Sequence, residues 1–495
     1  MSFVKKALKK YNTIPLPAKA ALWFVVCSVL QKSIAMLTMP IFTRIMTKEQ
    51  MGQFNVYNSW LQILTMITTF RLNYAVFNKG MSKFKEDRDA YTSTMQSTTF
   101  IITSVFFGIY LIFREPINNF IELPTFIMVA IFMELLIAPA IDFWTIRKRY
   151  EYIYKPVVIR TLLMSVLNAG LGVAAVLISD EKGYARIISC VIVNLAFGLM
   201  LFFYNAKKAK TLFVAKYAKF ALLFNIPLFL HYLSQYVLDS FDRIMVQKMV
   251  GIEAIALYGV AYNAGMLMRI FTQSLNNAIV PWQYDKLEKK EHKQLDDTTF
   301  LVLILMGVLT LMFAAFAPEL MLVLAGRNYQ EAVYVIPPVA VGMFFSFAYS
   351  TFANVEFFYN QTKFTMYISM GGALLNIGLN YIFINWFGYI AAAYTTLFCF
   401  AVFALTHYFY MTYSVKKAIG VNRIYRTGRM MILFLVIIVL GLLVVFLYDL
   451  PIVRYALIGA VLIAAIIKHK AIIKVLKSVR KPKKPKQEAS QEAES

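Results

Sequence analysis

Apolar segments of about 20 residues recur from Ala18 to His469, and the connections between them are short. A helix of that length crosses the ~30 Å hydrocarbon core of a bilayer. Because 60% of the residues are hydrophobic, the composition leaves no room for a soluble domain of ordinary size. The chain is therefore expected to be an all-α polytopic membrane protein.

The apolar runs predict fourteen transmembrane helices. They lie at residues 18–42, 53–78, 93–113, 124–145, 156–179, 185–205, 220–242, 254–282, 298–318, 334–358, 365–386, 389–411, 429–447 and 452–469. When residues within three positions of a span end are counted with the adjoining connection, the cytoplasmic connections and termini hold 37 of the 50 lysines and arginines, and the outer connections hold 9. Cytoplasmic connections are typically enriched in these residues. The asymmetry supports an even number of spans, with both termini in the cytoplasm.

A short internal repeat relates the two halves of the chain. Arg44–Met46 recurs as Arg243–Met245 and Gly52 recurs as Gly251, all displaced by 199 residues. The displacement corresponds to six predicted spans, so both copies would cross the membrane in the same sense. We expect two parallel six-helix lobes around a central cavity, plus two extra helices. The predicted boundaries are 18–210 for the first lobe, 216–411 for the second and 412–470 for the extra helices.

Both terminal segments are basic. Residues 1–17 predict either a short amphipathic helix on the membrane surface or a frayed basic leader. Residues 471–495 predict a basic and then disordered cytoplasmic tail that anionic phospholipid can hold. The remaining basic residues are spread over many short loops, so the net charge of +24 does not indicate nucleic-acid binding. The three cysteines lie within predicted spans, and we expect no disulfide and no metal site.

Three stretches carry a resemblance to a known family. The first reads Phe-Thr-Arg-Ile-Met-Thr-Lys-Glu-Gln-Met-Gly at residues 42–52 and is followed by Tyr57-Asn58-Ser59-Trp60. The others are Gly326–Tyr329 leading to Pro337-Pro338, and Leu379–Ile382 leading to Phe387–Ala393. Together with the layout of two six-span lobes and two extra spans, they resemble bacterial oligosaccharide-repeat-unit flippases. These belong to the multidrug, oligosaccharidyl-lipid and polysaccharide exporter superfamily.

The resemblance implies a flippase of the bacterial plasma membrane that works by alternating access. It would carry an undecaprenyl-pyrophosphate-linked glycan from the inner to the outer leaflet, for cell-surface polysaccharide biosynthesis. No cofactor is implied, and a proton gradient, a sodium gradient or the membrane potential would drive transport. A polysaccharide polymerase and glycosyltransferases are the implied partners beside the lipid-linked glycan. The protein is expected to be a monomer.

Ionisable residues inside the spans are candidates for function, because they are costly unless they face a protein interior or a water-filled cavity. Arg71, Arg269, Lys32 and His231 are the candidates for holding a diphosphate. Arg71 and Arg269 are 198 residues apart, nearly the repeat displacement, and guanidinium groups bind phosphate oxygens bidentately. Two alternatives stay open. Arg71 is within snorkelling reach of the cytoplasmic headgroups, and His231 can instead hydrogen-bond a neighbouring helix.

The acidic residues inside the spans suggest a different role. Glu134 and Glu356 are candidates for ion coupling, because a carboxylate in a low dielectric can take up and release a proton. Glu134 can alternatively pair with a cavity cation such as Lys32. Arg160 is assigned to structure, because Asp142 ends the preceding span on the same side and can form an ion pair with it.

Several other functions are alternatives to that of a flippase. A drug/ion antiporter of the same superfamily shares the fold, but cations in the first two spans and the two extra spans favour an anionic lipid. Lipid II is an alternative cargo. A membrane-embedded glycosyltransferase, polymerase or ligase is disfavoured, because the outer connections are short and hold no catalytic motif. A scaffold protein leaves the intramembrane charges unexplained.

Overall fold

A computed structural model describes residues 14–359, 363–470 and 473, and all regular structure in this part of the chain is helical. We number the α-helices in chain order. They are α1 Leu16–Ile45, α2 Lys48–Thr69, α3 Ala75–Lys83, α4 Arg88–Ile112, α5 Arg114–Ile121, α6 Thr125–Ile137, α7 Pro139–Tyr150, α8 Tyr154–Ile178, α9 Lys182–Ala209, α10 Ala215–Met249, α11 Ile252–Gly265, α12 Met268–Glu288, α13 His292–Ala315, α14 Ala317–Ala325, α15 Ile336–Phe358, α16 Lys363–Phe387, α17 Ile390–Ile419, α18 Thr427–Leu443 and α19 Pro451–Ile467.

Each of the fourteen predicted segments coincides with one of these helices or with a broken helix. Eleven stretches of the described chain are long and apolar enough to cross a membrane. The prediction of an all-α, multi-pass membrane fold is therefore confirmed, and the count of fourteen spans stays a prediction. Most of the predicted leader and tail, residues 1–13, 471–472 and 474–495, lies outside the described residues.

Three predicted spans are broken helices. The first break separates α2 from α3 at residues 70–74, where Phe70 and Arg71 have φ angles of 50° and 52°. The second separates α6 from α7 at Pro139, which has no N–H to donate to the preceding turn. The third separates α11 from α12 at Met266 and Leu267. Two of the predicted spans thus break beside their arginines, Arg71 and Arg269.

The chain forms two compact units. The first runs through Leu257 and includes Leu324–Gly326, and the second comprises Tyr258–Val323 and the residues from Arg327 onward. Helix α10 packs against α2, α3 and α4 within the first unit. This division lies later in the chain than the predicted boundary at residues 210–216, and the assignment of the lobes stays a prediction.

Polar contacts hold the end of α10 within the first unit. The amide of Gln247 donates to the Ile121 carbonyl at 2.9 Å and to Glu122 at 3.0 Å. The Trp60 indole N–H donates to Gln247 at 3.3 Å. Lys248 pairs with Glu122 at 2.8 Å. Partial burial would raise the pKa of the Glu122 carboxyl, but the hydrogen bonds from Lys248 and Gln247 outweigh it and hold that pKa below its usual value.

The second unit is built around α15, which is buried along nearly its whole length. Helix α15 packs most extensively against α17, and it also contacts α12, α13 and α18. Phe344, Phe345 and Phe434 form edge-on ring contacts at the α15–α18 junction. Arg429 at the start of α18 binds Asp296 and Asp297 of α13 at 2.7 and 3.0 Å. Helix α18 is therefore part of the second unit's core.

The two glycines of the internal repeat serve different purposes. An added Cβ at Gly52 would lie 2.2 Å from the Ile252 carbonyl oxygen, so the residue allows a close approach of two backbone segments. Gly251 has a φ angle of +123°, a conformation that side chains rarely adopt, and an added Cβ there would meet open space. Gly52 is needed for packing and Gly251 for backbone conformation.

One buried asparagine supports the break between α2 and α3. Asn225 of α10 is fully buried, and its side-chain amide donates to the carbonyl of Phe70. Within the turn, the Leu72 N–H donates to the Thr69 carbonyl at 3.0 Å and the Tyr74 N–H donates to the Arg71 carbonyl at 3.1 Å. Inside a membrane protein such partners are required, because a freed backbone group cannot rely on water.

We expect Gly52→Ala to destabilise the first unit, because the new methyl group would overlap the Ile252 backbone. The expected loss is about 1–3 kcal/mol, as for other overpacked sites. Gly108→Ala in α4 is the matched control, since an added Cβ there meets nothing within 4 Å. Thermal unfolding of the purified protein in detergent would measure both. Equal unfolding temperatures for the two variants would contradict the packing role of Gly52.

We expect Asn225→Leu to loosen the turn at residues 70–74, because it leaves the Phe70 carbonyl without its donor. A buried polar group without a partner costs about 1–3 kcal/mol. Hydrogen exchange at Leu72 and Tyr74 should therefore accelerate roughly tenfold. Asn58→Leu is the control, because Asn58 donates only to Phe54 of its own helix, at 2.9 Å. Unchanged exchange in Asn225→Leu would rule out this support.

Candidate functional site

Arg71, in the turn between α2 and α3, is exposed on the protein surface. The Arg71 guanidinium carbon lies 5.8 Å from the centroid of the Tyr74 ring. Tyr74 is 57% exposed and meets Tyr232 of α10 edge-on, with ring centroids 5.5 Å apart. Phe70 stacks on Phe229 of α10 at 4.4 Å. An exposed cation thus lies near the ring of Tyr74, in a turn whose aromatic side chains Phe70 and Tyr74 contact α10.

Asp142 lies close to this turn. Its carboxylate accepts a hydrogen bond of 2.9 Å from the side-chain amide of Asn73. Arg160 donates instead to Thr145 and, at 3.4 Å, to the Ile141 carbonyl. The Asp142 and Arg160 charges interact electrostatically, but Asn73, and not Arg160, is the direct partner of the carboxylate. The predicted pair is therefore a through-space attraction across the α7–α8 junction.

The other three cations predicted to bind a diphosphate, Arg269, Lys32 and His231, belong to three different helices. Arg269 is exposed and follows the break between α11 and α12, whereas Arg71 lies within the break between α2 and α3. Lys32 is exposed on α1. The side chain of His231 lies outside the described residues. A role for Arg71, Arg269, Lys32 or His231 in binding stays a prediction.

Glu134 is buried in the core of the first unit, with 4% of its surface exposed. Tyr57 donates to one carboxylate oxygen at 2.7 Å and Asn194 donates to the other at 2.8 Å. Both donors come from other helices, α2 and α9. Lys32, the partner considered from the sequence, is not among the hydrogen-bond donors to Glu134 in the described chain. The carboxyl group is therefore enclosed but hydrogen-bonded on both oxygens.

Arg186 is a further intramembrane cation that the sequence analysis did not name as a candidate, since it stands at the edge of the predicted span at residues 185–205. Its guanidinium group lies 4.3 Å from the Phe42 ring centroid and 5.0 Å from that of Phe54. It donates to the Asn168 carbonyl at 2.8 Å. An added Cβ at Gly172 would lie 2.1 Å from its Nη1. Arg186 lies one turn inside α9, because this helix begins at Lys182.

Glu356 forms a pair that sequence reasoning missed. The Nδ1 atom of His407 lies 3.0 and 3.1 Å from the two carboxylate oxygens of Glu356, and both side chains are essentially inaccessible to solvent. The ring of Tyr349 lies 5.3 Å from that of His407. The sequence held one indication of this pair. Both residues lie near the cytoplasmic ends of even-numbered predicted spans, so they are expected at a similar depth in the membrane. The pair joins α15 to α17.

Solved structures of membrane transporters share this fold. The lipid II flippase MurJ in its inward closed conformation is 13% identical, with a TM-score of 0.67, over 91% of this chain and 100% of that chain. An inward-facing multidrug resistance transporter of the MATE family is 12% identical, with a TM-score of 0.57, over 78% of this chain and 95% of that chain. At these identities the likeness establishes the fold alone.

Sequence comparison gives the family. A Haemophilus influenzae protein of the Lsg locus is 23% identical over 185 residues, which make up 36% of this chain and 46% of that relative. The MatE profile matches residues 227–382. The profile described as "Polysaccharide biosynthesis protein" matches residues 18–285, more than half of the chain. The chain therefore belongs to the polysaccharide biosynthesis protein family.

Proposed function

We propose that the protein transports undecaprenyl-pyrophosphate-linked oligosaccharides from the cytoplasmic to the outer leaflet of a bacterial plasma membrane. The observation that most supports this proposal is the Arg71 guanidinium, which is exposed in a helix break and lies 5.8 Å from the centroid of the Tyr74 ring, in a chain of the polysaccharide biosynthesis protein family. Such a group can bind phosphate oxygens, while the rings can pack against sugar faces.

The cargo has two parts with opposite requirements. Its polyprenyl tail can remain in the bilayer, whereas the diphosphate and sugars need a polar path with positive charge. Arg71 and Arg269 each follow a helix break and are exposed, so each can meet an anionic headgroup without being desolvated in advance. Alternating access would then move the headgroup across the membrane. Lys32 and His231 are proposed to add to the positive charge.

Two alternatives differ in cargo rather than in fold. Lipid II is favoured by the similarity to MurJ, which extends over 91% of this chain. A drug/ion antiporter is favoured by the MatE match and the MATE-like fold. The exposed groups proposed to bind cargo are cations, whereas Glu134 and Glu356 are enclosed and hydrogen-bonded. This distribution supports an anionic cargo over a cationic drug.

The same proposal implies the membrane topology, the partners and the energy source of the protein. Both termini would lie in the cytoplasm, where the basic tail contacts anionic phospholipid. A polysaccharide polymerase would use the glycan after transport, and glycosyltransferases would supply it before. The protein would work as a monomer, driven by a proton gradient, a sodium gradient or the membrane potential. Glu134 and Glu356 are the proposed coupling groups.

The function can be tested in cells that lack the protein. Mass spectrometry of polyprenyl-linked glycans, combined with a membrane-impermeant label, reports both the composition and the leaflet of the cargo. We expect a complete repeat unit to accumulate on the cytoplasmic leaflet. If lipid II accumulates there instead, the lipid II alternative is correct. A normal distribution of all polyprenyl-linked glycans, with impaired dye efflux, would favour the drug/ion antiporter.

We expect Arg71→Ala and Arg269→Ala each to lower transport at least tenfold, because each removes a charge-assisted contact to the diphosphate. Lysine at either position should restore transport only in part, since an ammonium group cannot bind bidentately. The measurement is restoration of leaflet distribution in the deletion strain at matched protein levels. Arg114→Ala, at an exposed arginine in α5, is the control. Full activity of both alanine variants would contradict the proposed diphosphate contact.

We expect Glu134→Gln to slow transport and to remove its dependence on the proton gradient. The glutamine side chain can still accept a hydrogen bond from Tyr57 or Asn194, so the packing of the core should be largely kept. Transport into proteoliposomes, measured with and without an imposed pH gradient, would test this. If the variant keeps the wild-type gradient dependence, coupling belongs to another group or to the membrane potential.

A further inference from the structure

A buried arginine lies in the first turn of α19, in the second unit. Arg454 is only 3% exposed, and its Nη2 donates to Oε1 of Glu319 at the start of α14. The Tyr455 hydroxyl donates to the same carboxylate oxygen. The guanidinium carbon lies 5.0 Å from the ring centroid of Tyr455 and 5.7 Å from that of Tyr448. We call Arg454, Glu319 and Tyr455 the Arg454 site.

The ion pair uses only part of each charged group. In the part of the chain that the structure describes, Nε and Nη1 of Arg454 and Oε2 of Glu319 are buried and have no hydrogen-bond partner. Buried polar atoms without a partner are costly, most of all on charged groups. The Glu319 side chain is 34% exposed, so the site lies just beneath the protein surface. A ligand with an anionic acceptor and a cationic N–H donor would satisfy all three atoms.

The Arg454 site lies at the membrane surface in the predicted topology. The predicted span at residues 298–318 ends one residue before Glu319, and the span at 452–469 begins two residues before Arg454. Both of these ends are assigned to the outer side. Tyr448 and Tyr455 suit this level, because tyrosines are enriched where a bilayer meets water. Lipid headgroups are the charged ligands that a bilayer offers at this depth.

Helix α19 continues beyond the site as an apolar surface. Leu457, Ile463 and Ile466 are exposed along it, and in a membrane such side chains face acyl chains. A phospholipid combines a headgroup for the Arg454 site with acyl chains for this surface. A soluble zwitterion has only the headgroup chemistry. The apolar surface therefore favours a lipid as the ligand.

We propose that the Arg454 site binds a phospholipid with a phosphoethanolamine headgroup. Its phosphate accepts hydrogen bonds from Arg454, and its ammonium group donates to Glu319. The Arg454–Glu319 pair has no net formal charge, and neither has this headgroup. Such a lipid stays in the membrane rather than crossing it as cargo, so the site goes beyond the proposed function and does not depend on it.

Two other common headgroups match the site less well. Phosphatidylglycerol brings a negative charge without a positive one, so it places an anion near the Glu319 carboxylate and leaves Oε2 without a donor. Phosphatidylcholine brings a positive charge, but its quaternary nitrogen has no N–H to donate. The phosphoethanolamine headgroup alone among these three supplies both an acceptor for Arg454 and an ammonium donor for Glu319.

The test uses the purified full-length protein, freed of lipid in detergent. The probes are phosphatidylethanolamine, phosphatidylcholine and phosphatidylglycerol with identical acyl chains. Native mass spectrometry measures the dissociation constant of the first bound lipid. Wild type should bind phosphatidylethanolamine about tenfold more tightly than phosphatidylcholine, the effect of roughly one charge-assisted hydrogen bond.

Glu319→Gln separates recognition from structural damage. The glutamine oxygen can still accept hydrogen bonds from Arg454 and Tyr455, so the fold should be kept. The variant should bind phosphatidylethanolamine about tenfold more weakly and phosphatidylglycerol more tightly, because it loses both the attraction for an ammonium group and the repulsion of an anion. Structural damage would weaken the binding of both. Asp449→Asn is the matched control, at an exposed carboxylate just before α19, and should bind all three lipids as wild type does.

Arg454→Gln should weaken the binding of all three lipids, because each has a phosphate. If this variant fails to fold, the opposite shifts expected for Glu319→Gln decide the question. Equal affinity of wild type for phosphatidylethanolamine and phosphatidylcholine would overturn the proposed site. So would weaker binding of both phosphatidylethanolamine and phosphatidylglycerol by Glu319→Gln, or the same shifts in Asp449→Asn.

Discussion

The requirement that every backbone polar group find a partner inside the bilayer underlies the structure. Unbroken helices meet it internally, so each break needs outside support. At the break between α2 and α3, Asn225 supplies that support by donating to the Phe70 carbonyl. The support permits two successive non-glycine residues, Phe70 and Arg71, to hold left-handed conformations. The exposed position of the Arg71 guanidinium thus depends on a hydrogen bond from another helix.

Glu134, Glu356 and Arg186 are enclosed, and each has hydrogen-bonding or aromatic partners in the described chain. Glu134 receives hydrogen bonds on both oxygens, from Tyr57 and Asn194, and Glu356 shares both of its oxygens with His407. Arg186 lies between aromatic rings. Such pairing lowers the cost of placing ionisable groups in a membrane protein. Arg71 and Arg269 are instead exposed, and their contact with a cargo stays a proposal.

Much of the architecture could be read from the sequence, because hydrophobic length and charge asymmetry are local properties. The fourteen predicted segments all coincide with helices or broken helices. The breaks at residues 70–74 and 266–267 were not predicted, because the apolar pattern continues across both. Arg186 was not named as a candidate because it stands at the edge of its predicted span, whereas α9 begins four residues before it, at Lys182.

The sequence by itself determined the helical class, the membrane setting and the candidate ionisable residues, because hydrophobic transfer energy is additive along the chain and charges inside apolar runs stand out. Tertiary structure alone decided the partners of those residues. Glu134 meets Tyr57 and not Lys32, and Asp142 binds Asn73 directly and not Arg160. A hydrogen bond depends on ångström-scale distance and orientation. Residues far apart in the chain reach such geometry only through helix packing, which hydrophobic patterns do not specify.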